Sequence, residues 1–238
     1  MERDITLTVK WLGGAVRRGT GLALVALGVV GACGSDNNIT PLVATTITAV
    51  AATNAQTGAV GKPLAQPVGV LVVDQNGAPF AGATVNWAVQ TGGGSVASAT
   101  SVTDATGTAT VAWTMGPTAG TDSLKASLAN GTSVFITATA TAGTATAINI
   151  TSGGTQSVTA GSTTAPLVVQ VLDAGANPVS GAVVTWVVTG GGTLSAATST
   201  TDATGKTQVT LTTAAKGTYT VTAKTGTLTA VTFTITAT

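Results

Sequence analysis

Few residues in this sequence could take part in covalent or proton-transfer chemistry. Among its 238 residues there is no histidine, the only glutamate is Glu2 and the only cysteine is Cys33. The usual general bases, thiol nucleophiles and imidazole metal ligands are therefore missing from the bulk of the chain. A Ser–Lys pair is formally available through Lys62, Lys125, Lys206, Lys216 or Lys224. Nothing around these lysines suggests the desolvation that would activate one. Asp104 and Asp202 each open an Asp-Ala-Thr-Gly run and could offer a carboxylate to calcium. Each repeat holds few carboxylates, however, and Asp-x-x-Gly before a strand is more simply a turn whose side chain bonds its own backbone. The triplets Gly92-Gly93-Gly94 and Gly190-Gly191-Gly192 are followed by strand-like sequence, whereas a phosphate cradle opens a helix. The sequence thus predicts a protein that is not an enzyme and needs no metal or cofactor.

These residues sit on a duplicated frame. The stretch Asp74 to Trp87, DQNGAPFAGATVNW, returns as Asp173 to Trp186, DAGANPVSGAVVTW. Val68, Val70 and Val72 alternate along one strand, matched by Leu167, Val169 and Val171, and Val85, Trp87 and Val89 match Val184, Trp186 and Val188. Period-two matching on two strands of each copy implies inward faces meeting in a core. Between them lie Gly/Pro turns, with Gly82 and Gly181 placed for a close approach or a positive φ. The run Thr103-Asp104-Ala105-Thr106-Gly107 recurs as Thr201-Asp202-Ala203-Thr204-Gly205. Each is followed by an alternating strand: Ala109, Val111, Trp113 in one copy and Thr207, Val209, Leu211 in the other. Trp87, Trp186, Trp113 and Leu211 are expected in the core. Tyr219, aligned with Asp122, is the aromatic expected to be exposed and so a candidate binding residue. The Thr-rich outer faces could carry O-glycans, although β propensity accounts for them.

Charged residues make up only 7% of the chain, and their distribution is uneven. Arg3, Lys10, Arg17 and Arg18 precede an apolar run from Gly21 to Val30, which is shorter than the roughly 20 residues a membrane span needs. A basic segment, a short apolar segment and small residues before a cleavage point read as an export signal. Beyond it, five lysines face six aspartates, a net charge of about −1 that gives nucleic-acid binding no electrostatic footing. The expected organisation is a signal peptide over 1–32, a tether over 33–44, and two domains over 45–141 and 142–238. Strands several residues long, punctuated by turns, with a tryptophan on an early central strand, point to an all-β chain of two immunoglobulin-like sandwiches. With so short a join at Ala142 to Ala147, the two are expected to stack end to end.

Two resemblances add to this. Val30-Gly31-Ala32-Cys33 is similar to the lipobox of bacterial lipoproteins, which implies that Cys33 is S-acylated and becomes the first mature residue. The order Asp, Asn/Gly, Pro, Gly-x-x-Val-x-Trp, a Gly-rich turn, Thr-Asp-Ala-x-Gly and a closing Ala-Thr-Ala resembles the bacterial immunoglobulin-like domain of the invasin and intimin type. That family implies cell-surface or envelope stalks and adhesion-type modules. The chain is expected to depart from the large adhesins by lacking their outer-membrane barrel and lectin-like tip, so a receptor does not carry over. The resulting expectation is a non-catalytic envelope or outer-membrane protein, anchored in the membrane through Cys33. A module recognising a protein or glycan ligand, and a structural partner facing the periplasm, stand as alternatives.

Overall fold

The computed structural model describes residues 40–238, and Pro41–Thr238 forms one compact unit. The expected export signal, Cys33 and the first part of the expected tether lie outside the described residues. Strands dominate, with one 3-10 turn at Ala51–Thr53. Among the described residues no helix is long and apolar enough to cross a membrane.

Each repeat builds the same pair of sheets. In the first module Ala44–Ala49, Val68–Asp74 and Thr108–Val111 form a three-stranded sheet. The facing sheet runs in the order Gln56–Ala59, Ser133–Thr141, Gly120–Ser127, Thr84–Thr91, Thr100–Val102. The second module repeats this with Ala145–Ser152, Leu167–Asp173 and Lys206–Val209 on one side. On the other side stand Thr155–Val158, Val231–Ala237, Gly217–Lys224, Val183–Thr189 and Thr198–Thr200. Pairing is antiparallel except where an early strand meets the last strand of its module, Gln56 opposite Ala138 and Thr155 opposite Thr234. Two facing sheets joined this way are immunoglobulin-like sandwiches.

The cores follow the period-two pattern. Val68, Val70 and Val72 are buried against Val85, Trp87, Leu124 and Ile136, and Leu167, Val169 and Val171 against Val184, Trp186, Val221 and Ile235. Trp113 and Leu211 are both buried as well. Trp87 Nε1 donates to Ser101 Oγ at 2.8 Å and Trp186 Nε1 to Ser199 Oγ at 2.7 Å. Each ring therefore fills the core while its polar tip bonds to the neighbouring edge strand. Trp113 Nε1 has no partner; Leu211, at the matching position, has no such atom to satisfy.

The strand expected after Thr-Asp-Ala-Thr-Gly is broken in two. Thr108–Val111 stays in the small sheet, but Trp113–Thr114 leaves it to pair with Ser95–Val96, and Leu211–Thr212 pairs with Thr193–Leu194. Side chains alternate through the switch, so Trp113 and Leu211 still point inward. The expected tether also ends earlier than Ala44. Val43 donates its amide to Gln75 Oε1, Gln75 Nε2 donates to the Pro41 carbonyl, and Ala44 already pairs with Asp74.

Candidate functional site: turns, end loops and the inter-module joint

The aspartates that recur in the Asp-Ala-Thr-Gly runs of the two repeats serve backbone turns. Asp104 Oδ1 accepts from the Thr106 amide and hydroxyl and from the Thr108 amide, and Asp202 Oδ1 does the same with Thr204 and Lys206. The Thr106 hydroxyl, followed by the Thr108 and Thr106 amides, holds the Asp104 carboxyl below its ordinary range. Asp202 is lowered chiefly by the Thr204 hydroxyl and the Lys206 amide. Gly107 and Gly205 close these turns at φ 74° and 70°. A Cβ at Gly107 would stand 2.6 Å from the Val72 carbonyl oxygen, so this glycine meets both demands at once. Among the described residues, no three His, Cys, Asp or Glu side chains are grouped to hold a metal.

The threonine before each of these aspartates was not singled out in the sequence, yet it ties two turns together. Thr103 Oγ1 donates to the Phe80 carbonyl at 2.7 Å and accepts from the Ala83 amide at 2.8 Å. Thr201 makes the same two bonds to Val179 and Ala182. The main chain of Thr103 adds bonds to Gly82 and Ala83. The recurrence of Thr in both copies, ahead of a motif already explained by its Asp and Gly, was the available signal.

Tyr219 corrects an expectation. It is buried, at 2% exposure, rather than displayed on a loop. Its hydroxyl accepts from the Ala214 and Ala215 amides and donates to the Ala215 carbonyl. Asp122, at the matching position, is equally buried and accepts from the Gly116 amide at 2.9 Å. The glycine triplets make room for this position. A Cβ at Gly92 would collide with the Asp122 carboxylate, and one at Gly190 or Gly192 would press on the Tyr219 ring at 3.1 or 3.2 Å. A polar residue aligned with Asp suggested a surface site; the triplet wrapped around it in both copies pointed inward.

The two modules meet at the Asp173 turn. Asp173 Oδ1 accepts from the Gly175 and Asn177 amides, and Oδ2 from the Gly143 amide at 2.8 Å. Burial works against ionisation here, but the Gly143, Asn177 and Gly175 bonds outweigh it and keep the Asp173 pKa below the ordinary value. Asn177 Nδ2 donates to both Asp173 oxygens and, across the joint, to the Pro117 carbonyl at 3.0 Å. Its Oδ1 accepts from the Ala119 amide at 2.8 Å.

The remaining surface is Thr-rich and shallow. On the large sheet of the second module Thr218, Thr220 and Thr222 stand opposite Thr236, Thr234 and Thr232, cross-strand pairs that favour the sheet itself. An apolar recess of about 300 Å³ lies beside Ala44, Phe80, Ala83 and Leu128. It presents no grouped titratable side chains.

Residues 147–238 match the family model of the bacterial Ig-like domain (group 1), so the second module is such a domain. No curated protein sequence matches the chain. The fold is similar to that of FdeC, an Escherichia coli adhesin, with a TM-score of 0.62 at 22% identity. That match covers 83% of this chain and 65% of the FdeC structure. It is also similar to InvD of Yersinia pseudotuberculosis, with a TM-score of 0.53 at 21% identity, over 81% of this chain and 57% of that one. The chain thus spans less than two thirds of either structure. At these identities the likeness establishes the tandem immunoglobulin-like fold.

Proposed function

We propose that this is an exported, lipid-anchored envelope protein whose two immunoglobulin-like modules act as a non-catalytic surface stalk of the adhesion type. The observation that carries the reading is the pairing of a lipobox-like Val30-Gly31-Ala32-Cys33 with two sandwiches in which Asp104, Asp202 and Tyr219 are spent on local turns and loops. Acylated Cys33 holds the membrane, the residues after it give reach, and the modules project toward a protein or glycan on another cell or envelope component. Similarity in fold to an adhesin supports this role.

Mass spectrometry of the Cys33 peptide from the membrane fraction tests the anchor. The expected species begins at Cys33 and carries S-linked acyl chains, and Cys33→Ser moves both modules into the soluble fraction. An unmodified Cys33 on protein that still sediments with membranes would overturn the anchoring mechanism.

A further inference from the structure

The loops that close the far ends of the two modules are built alike but satisfied differently. Gly120 and Gly217 occupy matching positions with φ 143° and 151°, which aligns Asp122 with Tyr219, while Trp113 and Leu211 on the preceding strands align Pro117 with Ala215, so the first loop is one residue longer than the second. In both loops the buried residue accepts an amide, Gly116 to Asp122 and Ala214 to Tyr219. The carbonyls then diverge. Ala215 O accepts from the hydroxyl of Tyr219 in its own module, whereas Pro117 O accepts from Asn177 of the next. The Ala119 amide is likewise bonded by Asn177.

Asn177 itself stands on a turn the first module repeats without it. Asp74 Oδ1 accepts from Asn76 and Ala78 just as Asp173 Oδ1 accepts from Gly175 and Asn177. Ala78 occupies the position of Asn177, and among the described residues the Asp74 turn engages the chain's own Pro41–Val43 segment through Gln75. A carboxamide is a donor and an acceptor on one planar group. It can therefore engage a free carbonyl and a free amide on the same loop, which is what the Pro117–Ala119 segment offers.

We infer that Asn177, braced by Asp173, is the residue that docks the second module onto the first, and that position 122/219, together with the extra residue of the first loop, decides whether an end loop can receive a neighbour. Asp122 accepts from Gly116, makes no bond to the Pro117 carbonyl, and so leaves it for the incoming amide. Tyr219 supplies a donor of its own, closes the loop on itself, and leaves no seat for the same contact. Residue 177 thus specifies order within the array, because its turn fits the loop of the first module and not that of the second.

Amide hydrogen exchange on the full chain, read by mass spectrometry across 116–121 and 213–218, tests this. Ala78 shows that the turn accepts alanine, so Asn177→Ala should fold normally. In that variant the Ala119 amide should exchange about fivefold faster, as expected for loss of one hydrogen bond, with 213–218 unchanged. Tyr219→Phe should do the reverse, loosening 213–218 and leaving Ala119 protected. In a Cys33→Ser background, distances between spin labels at Ala129→Cys and Thr229→Cys should spread more widely once Asn177 is alanine. Unchanged protection at Ala119 with an unchanged distance distribution would overturn the proposal. So would equal loss of protection at Ala119 in Tyr219→Phe, which would mean general loosening.

Discussion

Replacing Thr103 by valine keeps the outline of the side chain and deletes only the hydroxyl. Two bonds go with it, to the Phe80 carbonyl and from the Ala83 amide. Thr103 is 4% exposed, so water has little access to replace them. Each bond is worth about 1 kcal/mol net, and a stranded buried amide adds about 1–3 kcal/mol of desolvation. The expected loss is about 3–5 kcal/mol, against a total of about 5–15 kcal/mol for a domain of this size. With a urea slope of about 1–2 kcal/mol per molar, the first module's midpoint falls by about 2 M. Tryptophan fluorescence follows it, because Trp87 and Trp113 report on the first module and Trp186 on the second. The Trp186 transition should stay in place when the far-end loop is intact. Thr103→Ser is the control: it keeps both bonds and gives up one methyl, about 1 kcal/mol. If valine costs no more than serine, packing rather than hydrogen bonding explains this position, and the reasoning fails.

Three further outcomes are expected. Ala176 holds φ 61° where the first module has Gly77; an L residue there carries about 1 kcal/mol of strain, so Ala176→Gly should raise the second module's urea midpoint. Trp113→Phe removes an unpaired indole N–H, while Trp87→Phe breaks a bond to Ser101, so the Trp113 variant should be the more stable of the two by about 1 kcal/mol. The carboxyls of Asp104, Asp173 and Asp202 are held below their ordinary value. Their contribution is complete above the unfolded-state pKa and is lost as pH falls through the lower folded values. Acid titration of stability should therefore steepen below about pH 4, and Asp202→Ala should flatten that limb for the second module.

Much of the fold was legible because strands bury every second residue. Alternating Val68–Val72 and Leu167–Val171, each followed by a matched Trp, leave little freedom in register once one face must be dry. Turn chemistry was equally direct where one residue type answers one geometry, as with Gly107 and Asp104. What the sequence concealed depends on contacts distant along the chain. Whether Tyr219 faces in or out is set by glycines at 190–192, nearly thirty residues earlier. Thr103 looks like any strand threonine until the Phe80–Ala83 turn is folded against it. Asn177 reads as an ordinary turn residue, and only the approach of Pro117 and Ala119 gives its amide a partner. Substitution of Asn for Ala between otherwise matching turns was the trace it left.

We propose above that both modules are displayed outside the cell on a lipid anchor. Protease treatment of intact cells, followed by detection of peptides from residues 45–141 and 142–238, tests it most directly. Both modules should be shed while the acylated Cys33 fragment stays with the membrane. Survival of both modules until the outer membrane is opened would contradict display and assign the protein to the periplasmic face.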